Sequence, residues 1–330
     1  MYSKPLYLLK QITFVHQSCS SSTLKLNGYK LDGITMSVKT KHQFSFEWQQ
    51  NRYAIAYDTV GQGKPVLLLP AFSTVSSRSE MQGIAERIAH RYQAVTLDWL
   101  GFGESERPAL DYQPALLQQL LQAFVTQTFS EPVAIIAAGH TAGYALQLAQ
   151  QPQTCSSIIL VAPTWRGPLP TMGVPKPLAT AVRQLVRFPV IGQGLYQANT
   201  TKGFLRLMYG RHVYADKSNL TPEFIEEKQQ ITRQPGARFA PAAFVTGGLD
   251  PVRDRQQFLT LLQSSTVPVL LILAEQAPPY SKQEMTAMAA IPDIQSLTLP
   301  GTLGMYEEYA NEVAEAILPF LDSKIQQNVI

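Results

Sequence analysis

The sequence predicts a doubly wound α/β domain: a mostly parallel β-sheet with helices on both faces and a helical segment inserted between its two halves. Three observations carry that expectation. Apolar runs bounded by turn residues alternate with helix-period stretches over residues 65–163. The alternation stops after Pro163 and resumes at Val267. Ala134-Ile135-Ile136-Ala137-Ala138-Gly139-His140-Thr141-Ala142-Gly143-Tyr144 reads as an apolar strand, a tight Gly-x-Thr-x-Gly turn and a helix.

The elements follow in order. Phe46-Glu47-Trp48 and residues 53–57 read as a pair of opening strands, and Gly61-Gln62-Gly63-Lys64 as a turn. Residues 65–69 are continuously apolar, as a strand buried on both faces should be. Residues 81–89 have helical spacing, residues 94–97 form the next strand, and residues 116–124 are helical again. Residues 133–138 form the strand before the tight turn, residues 144–150 the helix after it, and residues 158–161 a further strand. Residues 164–265 are rich in Pro, Arg and Tyr and in helical stretches. Residues 267–273 return to a buried strand, and residues 312–321 form a closing helix. The expected organisation is a basic, flexible N-terminal extension over residues 1–45, half of the sheet over 46–163, a helical lid over 164–265 and the second half over 266–330.

Composition narrows the function. The chain has 330 residues, 45% apolar and 15% charged, an ordinary globular balance. No run of 18 apolar residues exists, which argues against a membrane-spanning helix. Two cysteines, Cys19 and Cys155, are too few for a disulfide framework and fit a reducing, cytoplasmic setting. Net charge is +3, but residues 164–265 hold 13 Lys/Arg against six Asp/Glu. A basic segment on an acidic body suits an anionic ligand, a membrane surface or an acidic partner, and equally an insertion packed on its own core. The chain carries no metal-ligand spacing and no phosphate-binding glycine loop in the required context, so no metal, cofactor or nucleic acid is expected.

Three motifs carry a family resemblance. One is Gly139-His140-Thr141-Ala142-Gly143. Another is Asp98-Trp99-Leu100-Gly101-Phe102-Gly103-Glu104-Ser105, an Asp-x-x-Gly-x-Gly-x-Ser loop after a strand. The third is Glu307-Glu308-Tyr309 before the last helix. In this order, at strand ends, they resemble the α/β-hydrolase superfamily over residues 46–322, and more narrowly the α/β-hydrolase-like proteins of cyanobacteria and plastids. The resemblance implies a catalytic Ser-acid-His triad, and this chain departs from it at every member. Thr141 stands at the nucleophile position, Ala277 where the acid is expected, and Leu303 where the base is expected. No histidine follows His212.

The remaining site candidates are named on that frame. A threonine hydroxyl serves as a nucleophile when a base lies beside it, but its β-methyl crowds the approach. Backbone N–H groups of Ala71, Phe72 and Ala142 are the candidate oxyanion donors. His140 is expected to line the pocket or pack beneath the turn. Tyr306 and Glu275 are the nearby titratable side chains, and a packed aromatic and a solvated loop glutamate are the plainer accounts of each. His212 is a base deliverable from the lid. Two functions stay open: a binding protein with a decayed triad, which takes a hydrophobic or anionic ligand or a protein partner, and an atypical ester or acyl hydrolase with Thr141 as nucleophile. The mixture of aromatic and basic residues in the lid adds a peripheral membrane face as a further expectation.

Overall fold

The computed structural model describes residues 39–327. Eight strands form one sheet in the order β1-β2-β4-β3-β5-β6-β7-β8. They are β1 (Thr40–Trp48), β2 (Asn51–Val60), β3 (Pro65–Leu69), β4 (Gln93–Leu97), β5 (Val133–Ala138), β6 (Cys155–Val161), β7 (Val269–Ala274) and β8 (Gln295–Leu299). β1 and β2 form an antiparallel hairpin with Phe46 opposite Tyr53, and β2 runs antiparallel to β4. Every other pairing is parallel. β1 starts at Thr40, inside the stretch that the sequence assigns to the extension; the part before residue 39 lies outside the described residues.

Period-2 geometry sorts the apolar runs onto two faces. Leu67, Leu69, Ile135, Ala137, Ile158 and Leu160 join the core on one side. Their sequence neighbours Val66, Leu68, Ala134, Ile136, Ile159 and Val161 join the core on the other. Strands buried on both faces must be continuously apolar, which is why these runs carry no alternation. On the first face lie α2 (Pro114–Thr128) and α3 (Ala142–Leu148), with Leu120, Phe124 and Leu146 buried. On the second lie α1 (Gln82–Ile88) and the C-terminal helix, with Ile84, Ile88, Val313 and Ile317 buried.

Between β6 and β7 runs a series of helices: α4 (Pro168–Thr171), α5 (Lys176–Arg187), α6 (Pro189–Ala198), α7 (Lys202–Met208), α8 (Pro222–Thr232), α9 (Phe239–Val245) and α10 (Arg255–Gln263). A wide turn over Tyr209–Val213 follows α7. The insertion is not uniformly peripheral. Phe239, Ala243, Phe258 and Leu262 belong to the same core as α2 and α3, so its last third is part of the body. After β7 come α11 (Pro279–Ala289), α12 (Met305–Glu308) and α13 (Ala310–Gln327).

Chain order creates the crevice. From β3 the chain steps outward to β4, then crosses back to place β5 on the other side of β3. The carboxyl ends of β3 and β5 therefore diverge at a topological switch point, where α/β sheets place their ligands.

Candidate functional site

The strand-to-helix turn after β5 is where this fold presents a nucleophile, on a residue held at a strained, positive φ. Here that residue is Gly139, with φ 53°. Thr141 has φ −74° and ψ −8°, ordinary right-handed helical backbone. The positive φ of this turn thus falls two residues before Thr141. A Cβ added at Gly139 would stand 2.9 Å from the Ala71 Cβ and 3.9 Å from the Thr164 hydroxyl oxygen. A side chain there would point between the loops after β3 and β6, and glycine has none to offer.

Thr141 is fully buried. Its hydroxyl lies 2.9 Å from the Ala138 carbonyl and 3.3 Å from the Leu69 carbonyl. Both are acceptors only, so the single hydroxyl proton is committed to the backbone. The Ala142 N–H, expected to be an oxyanion donor, bonds the Gly139 carbonyl as the helix begins.

The loop after β3 fills the crevice instead of lining it. Phe72 is buried, stacked on Phe102 at 5.3 Å and edge-on to Trp99 and Tyr144 at 5.3 and 5.5 Å. Phe244, from α9, closes on it at 6.1 Å. Ala71 is also buried, and its carbonyl accepts a 2.6 Å bond from the Ser76 hydroxyl. His140 packs beside this group, 5.3 Å from Phe244. Its Nε2 lies 3.2 Å from both the Leu249 carbonyl and the Asp250 carboxylate. The carbonyl only accepts, so Nε2 carries the proton, while Nδ1 is buried without a partner among the described residues.

The other candidates lie apart from this turn. Glu275 is exposed in the loop after β7, where Ala277 is buried. Tyr306 is buried in α12, and its hydroxyl stands 3.5 Å from Glu80. Burial pushes that phenol well above its ordinary pKa, the wrong direction for a base. At the base loop the insertion takes the space. Gly304 N–H donates to the Val213 carbonyl at 2.9 Å, and the Thr302 hydroxyl donates to the same oxygen. Glu308 accepts the backbone N–H groups of Ala215 and Asp216 at 2.8 and 2.7 Å. His212 is half-buried beside this contact, and its ring has no hydrogen-bond partner among the described residues. Burial, with Arg211 nearby, lowers its pKa.

Two buried ionic clusters escaped the sequence reading. In the first, Lys228 of α8 reaches Glu307 at 2.7 Å and Glu80 at 3.5 Å. Burial pushes Glu80 up to about 8, with Glu307 adding and Lys228 opposing. Lys228 itself is held above its ordinary value: burial works against the charge, and the two glutamates outweigh it. In the second, Arg78 pairs with Asp98, with Asp58 at 2.8 Å and with Glu104 at 2.6 Å. Asp98 also accepts the backbone N–H groups of Arg78 and Glu104 at 2.6 and 2.7 Å. The Ser105 hydroxyl donates to the Asp98 carbonyl at 2.8 Å and accepts the Ala56 N–H at 2.9 Å. The Asp-x-x-Gly-x-Gly-x-Ser loop is thus a structural knot. Gly103, at φ 52°, is required because a Cβ would collide with the Asp98 carboxylate.

Comparison with known proteins agrees with this architecture. A 29% identity to an uncharacterised Mycobacterium tuberculosis protein extends over 111 residues, 33% of this chain and 32% of that one. The chain thus matches about a third of the length of these curated mycobacterial relatives. The 2-hydroxy-6-oxo-6-(2'-aminophenyl)hexa-2,4-dienoic acid hydrolase of Metapseudomonas resinovorans is 22% identical over 232 residues, 63% of this chain and 77% of that enzyme. Among solved structures, a thermophilic esterase from Thermogutta terrifontis superposes with a TM-score of 0.65 at 19% identity, over 86% of this chain and 98% of the esterase. The alpha/beta hydrolase family profile matches residues 66–316, most of the chain. With the sheet order, the switch-point turn after β5 and that match in hand, the chain belongs to the alpha/beta hydrolase family.

Proposed function

We propose that this chain is a cytoplasmic hydrolase-fold protein that works by binding and has given up acyl transfer. The observation that carries the reading is Gly139: the one residue of the turn at positive φ has no side chain to attack with. The surroundings support it. The nearest hydroxyl in sequence, Thr141, is buried and donates to backbone carbonyls. Leu303 and Ala277 stand at the base and acid positions, and the insertion is hydrogen-bonded to the loop that would deliver the base. Phe72, from the loop after β3, is buried in an aromatic cluster with Phe102 and Trp99. Binding is then assigned to the outer surface of the insertion rather than to the crevice.

The test is turnover of a short-chain and a long-chain activated ester by the purified protein and by Thr141→Ala. The expected result is a rate at background in both. Turnover by the parent that disappears in Thr141→Ala would overturn the reading and restore Thr141 as a nucleophile, since loss of the nucleophile removes most of such an enzyme's rate.

A further inference from the structure

Among the described residues, nine of the ten large apolar side chains that stand exposed lie between positions 172 and 207. They concentrate at the corner joining α5 to α6. Phe188, Pro189, Val190 and Ile191 are four consecutive exposed residues, with Phe188 61%, Val190 87% and Ile191 62% open to solvent. A helix face lining a groove exposes residues at spacings of three and four. Four in a row describe a projecting tip.

The tip is built, not loose. Pro189 starts α6 where a missing N–H costs nothing. Gly192 lets α6 cross tightly over α5, since a Cβ there would collide with the Val186 carbonyl. Arg238 of the body donates to that same carbonyl at 3.1 Å, and Arg187 donates to the Leu110 carbonyl. The root is therefore anchored while the apolar residues are held out in solvent.

The segment that carries the tip is basic. Residues 164–215 contain seven Lys/Arg and no Asp or Glu. Lys176, Arg206 and Arg211 are exposed and form no ion pair among the described residues. No helix in the described residues is long and apolar enough to cross a membrane. An exposed apolar tip on a segment with seven Lys/Arg, of which Lys176, Arg206 and Arg211 are exposed outside any ion pair among the described residues, has the chemistry of a group that seats in a lipid interface, with cations on anionic headgroups.

We propose that the α5–α6 corner, with the basic segment that carries it, docks this protein on the surface of an anionic lipid bilayer. The proposal is independent of whether the turn at Gly139 is catalytic. A fluid surface accepts a projecting tip without a preformed complementary groove. The excess of Lys/Arg over residues 164–215 favours an anionic surface over a neutral one.

The experiment is flotation of the full chain with phosphatidylcholine vesicles, with and without phosphatidylglycerol. It is run on the parent, on Phe188→Ser/Ile191→Ser and on Arg206→Glu/Arg211→Glu. All the altered side chains are exposed, and circular dichroism confirms that each variant folds. The expected result is binding to the anionic vesicles that is at least about tenfold weaker on neutral ones, weakens by a similar factor in either variant, and falls as salt is added. Equal binding by the parent and both variants would overturn the proposal. So would no binding to either vesicle, including the case where the parent instead forms a dimer that Phe188→Ser/Ile191→Ser dissolves, which would give the corner to a second copy of the chain.

Discussion

The Thr141 hydroxyl donates to the carbonyl oxygen of Ala138 across 2.9 Å, tying the first turn of α3 back to the last residue of β5. The bond makes this side chain part of the turn's framework. Replacing Thr141 by Val keeps the shape and removes the donor, leaving buried carbonyls short of a partner. The expected cost is about 1–2 kcal/mol in urea unfolding. Thr141→Ser keeps the donor and should lose only about 1 kcal/mol for the methyl group, without gaining ester turnover. A serine variant with parent stability that hydrolyses an activated ester would contradict this account.

Gly139 carries a different constraint. Its φ of 53° and the 2.9 Å approach that a Cβ would make to Ala71 act together. Gly139→Ala should destabilise the fold by about 1–2 kcal/mol from the left-handed backbone alone, with the crowding added to it. Pairing it with Ala71→Gly should recover the crowding part and not the backbone part. Denaturation midpoints of the single and double variants separate the two contributions.

Lys228 is the cation that two carboxylates depend on. Removing it as Lys228→Met leaves the Glu307 carboxylate without its 2.7 Å partner in a largely buried setting, with an expected loss of about 3–5 kcal/mol. Adding Glu307→Gln to Lys228→Met should return a substantial part, because the carboxylate left without its cation is gone. Chemical denaturation of the two variants gives the difference directly, and a double variant no more stable than the single would refute the pairing.

The same cluster gives stability a pH dependence. The folded pKa of Glu80, about 8, lies above its ordinary 4.5, so the folded state holds the proton more tightly than the unfolded chain. That stabilisation is fully present below pH 4.5 and is lost as the pH rises through about 8. Lys228 stays charged across this window and does not reverse the sign. Urea midpoints of the parent should therefore fall relative to those of Glu80→Gln between pH 5 and 8, the interval set by this shift. A constant gap between the two proteins would show that Glu80 does not titrate there.

Most of the sheet was legible because period-2 geometry and burial on both faces leave continuous apolar runs, as at residues 65–69 and 133–138. Short edge strands are harder: β8 is almost entirely exposed and has no apolar run to announce it. The backbone geometry of the turn after β5 was not legible, for a specific reason. Small residues occur at Ala137, Ala138, Gly139, Ala142 and Gly143, so a five-residue motif fits in more than one register. The visible hydroxyl drew the reading to Thr141. The usable signal was the length of the strand, which ends at Ala138 and leaves Gly139 as the first residue able to take a positive φ.

The ionic clusters were not legible at all. Lys228 and Glu80 are 148 positions apart, and each sits among neighbours whose local pattern is ordinary. Arg78, Asp58 and Asp98 likewise come from three different loops and strands. The Asp98 motif was recognised as a family mark, but its role required seeing that both carboxylate oxygens are spent on the backbone of the loop and on Arg78. The exposure of the α5–α6 corner was hidden too, because a sequence pattern cannot distinguish an apolar residue on a packed helix from one at a projecting tip.

The contact of Lys228 with Glu80 and Glu307 bears on how the molecule comes apart. It bolts α8, from the middle of the insertion, to elements on either side of the sheet's chain order: the loop before α1 and the helix after β8. The hydrogen bonds from Ala215 and Asp216 to Glu308 add a second bolt nearby. Stretches that interleave in this way cannot melt separately without stranding a buried charge. The insertion and the sheet therefore share one cooperative unit, and amide exchange in α8 should track global unfolding rather than local fraying.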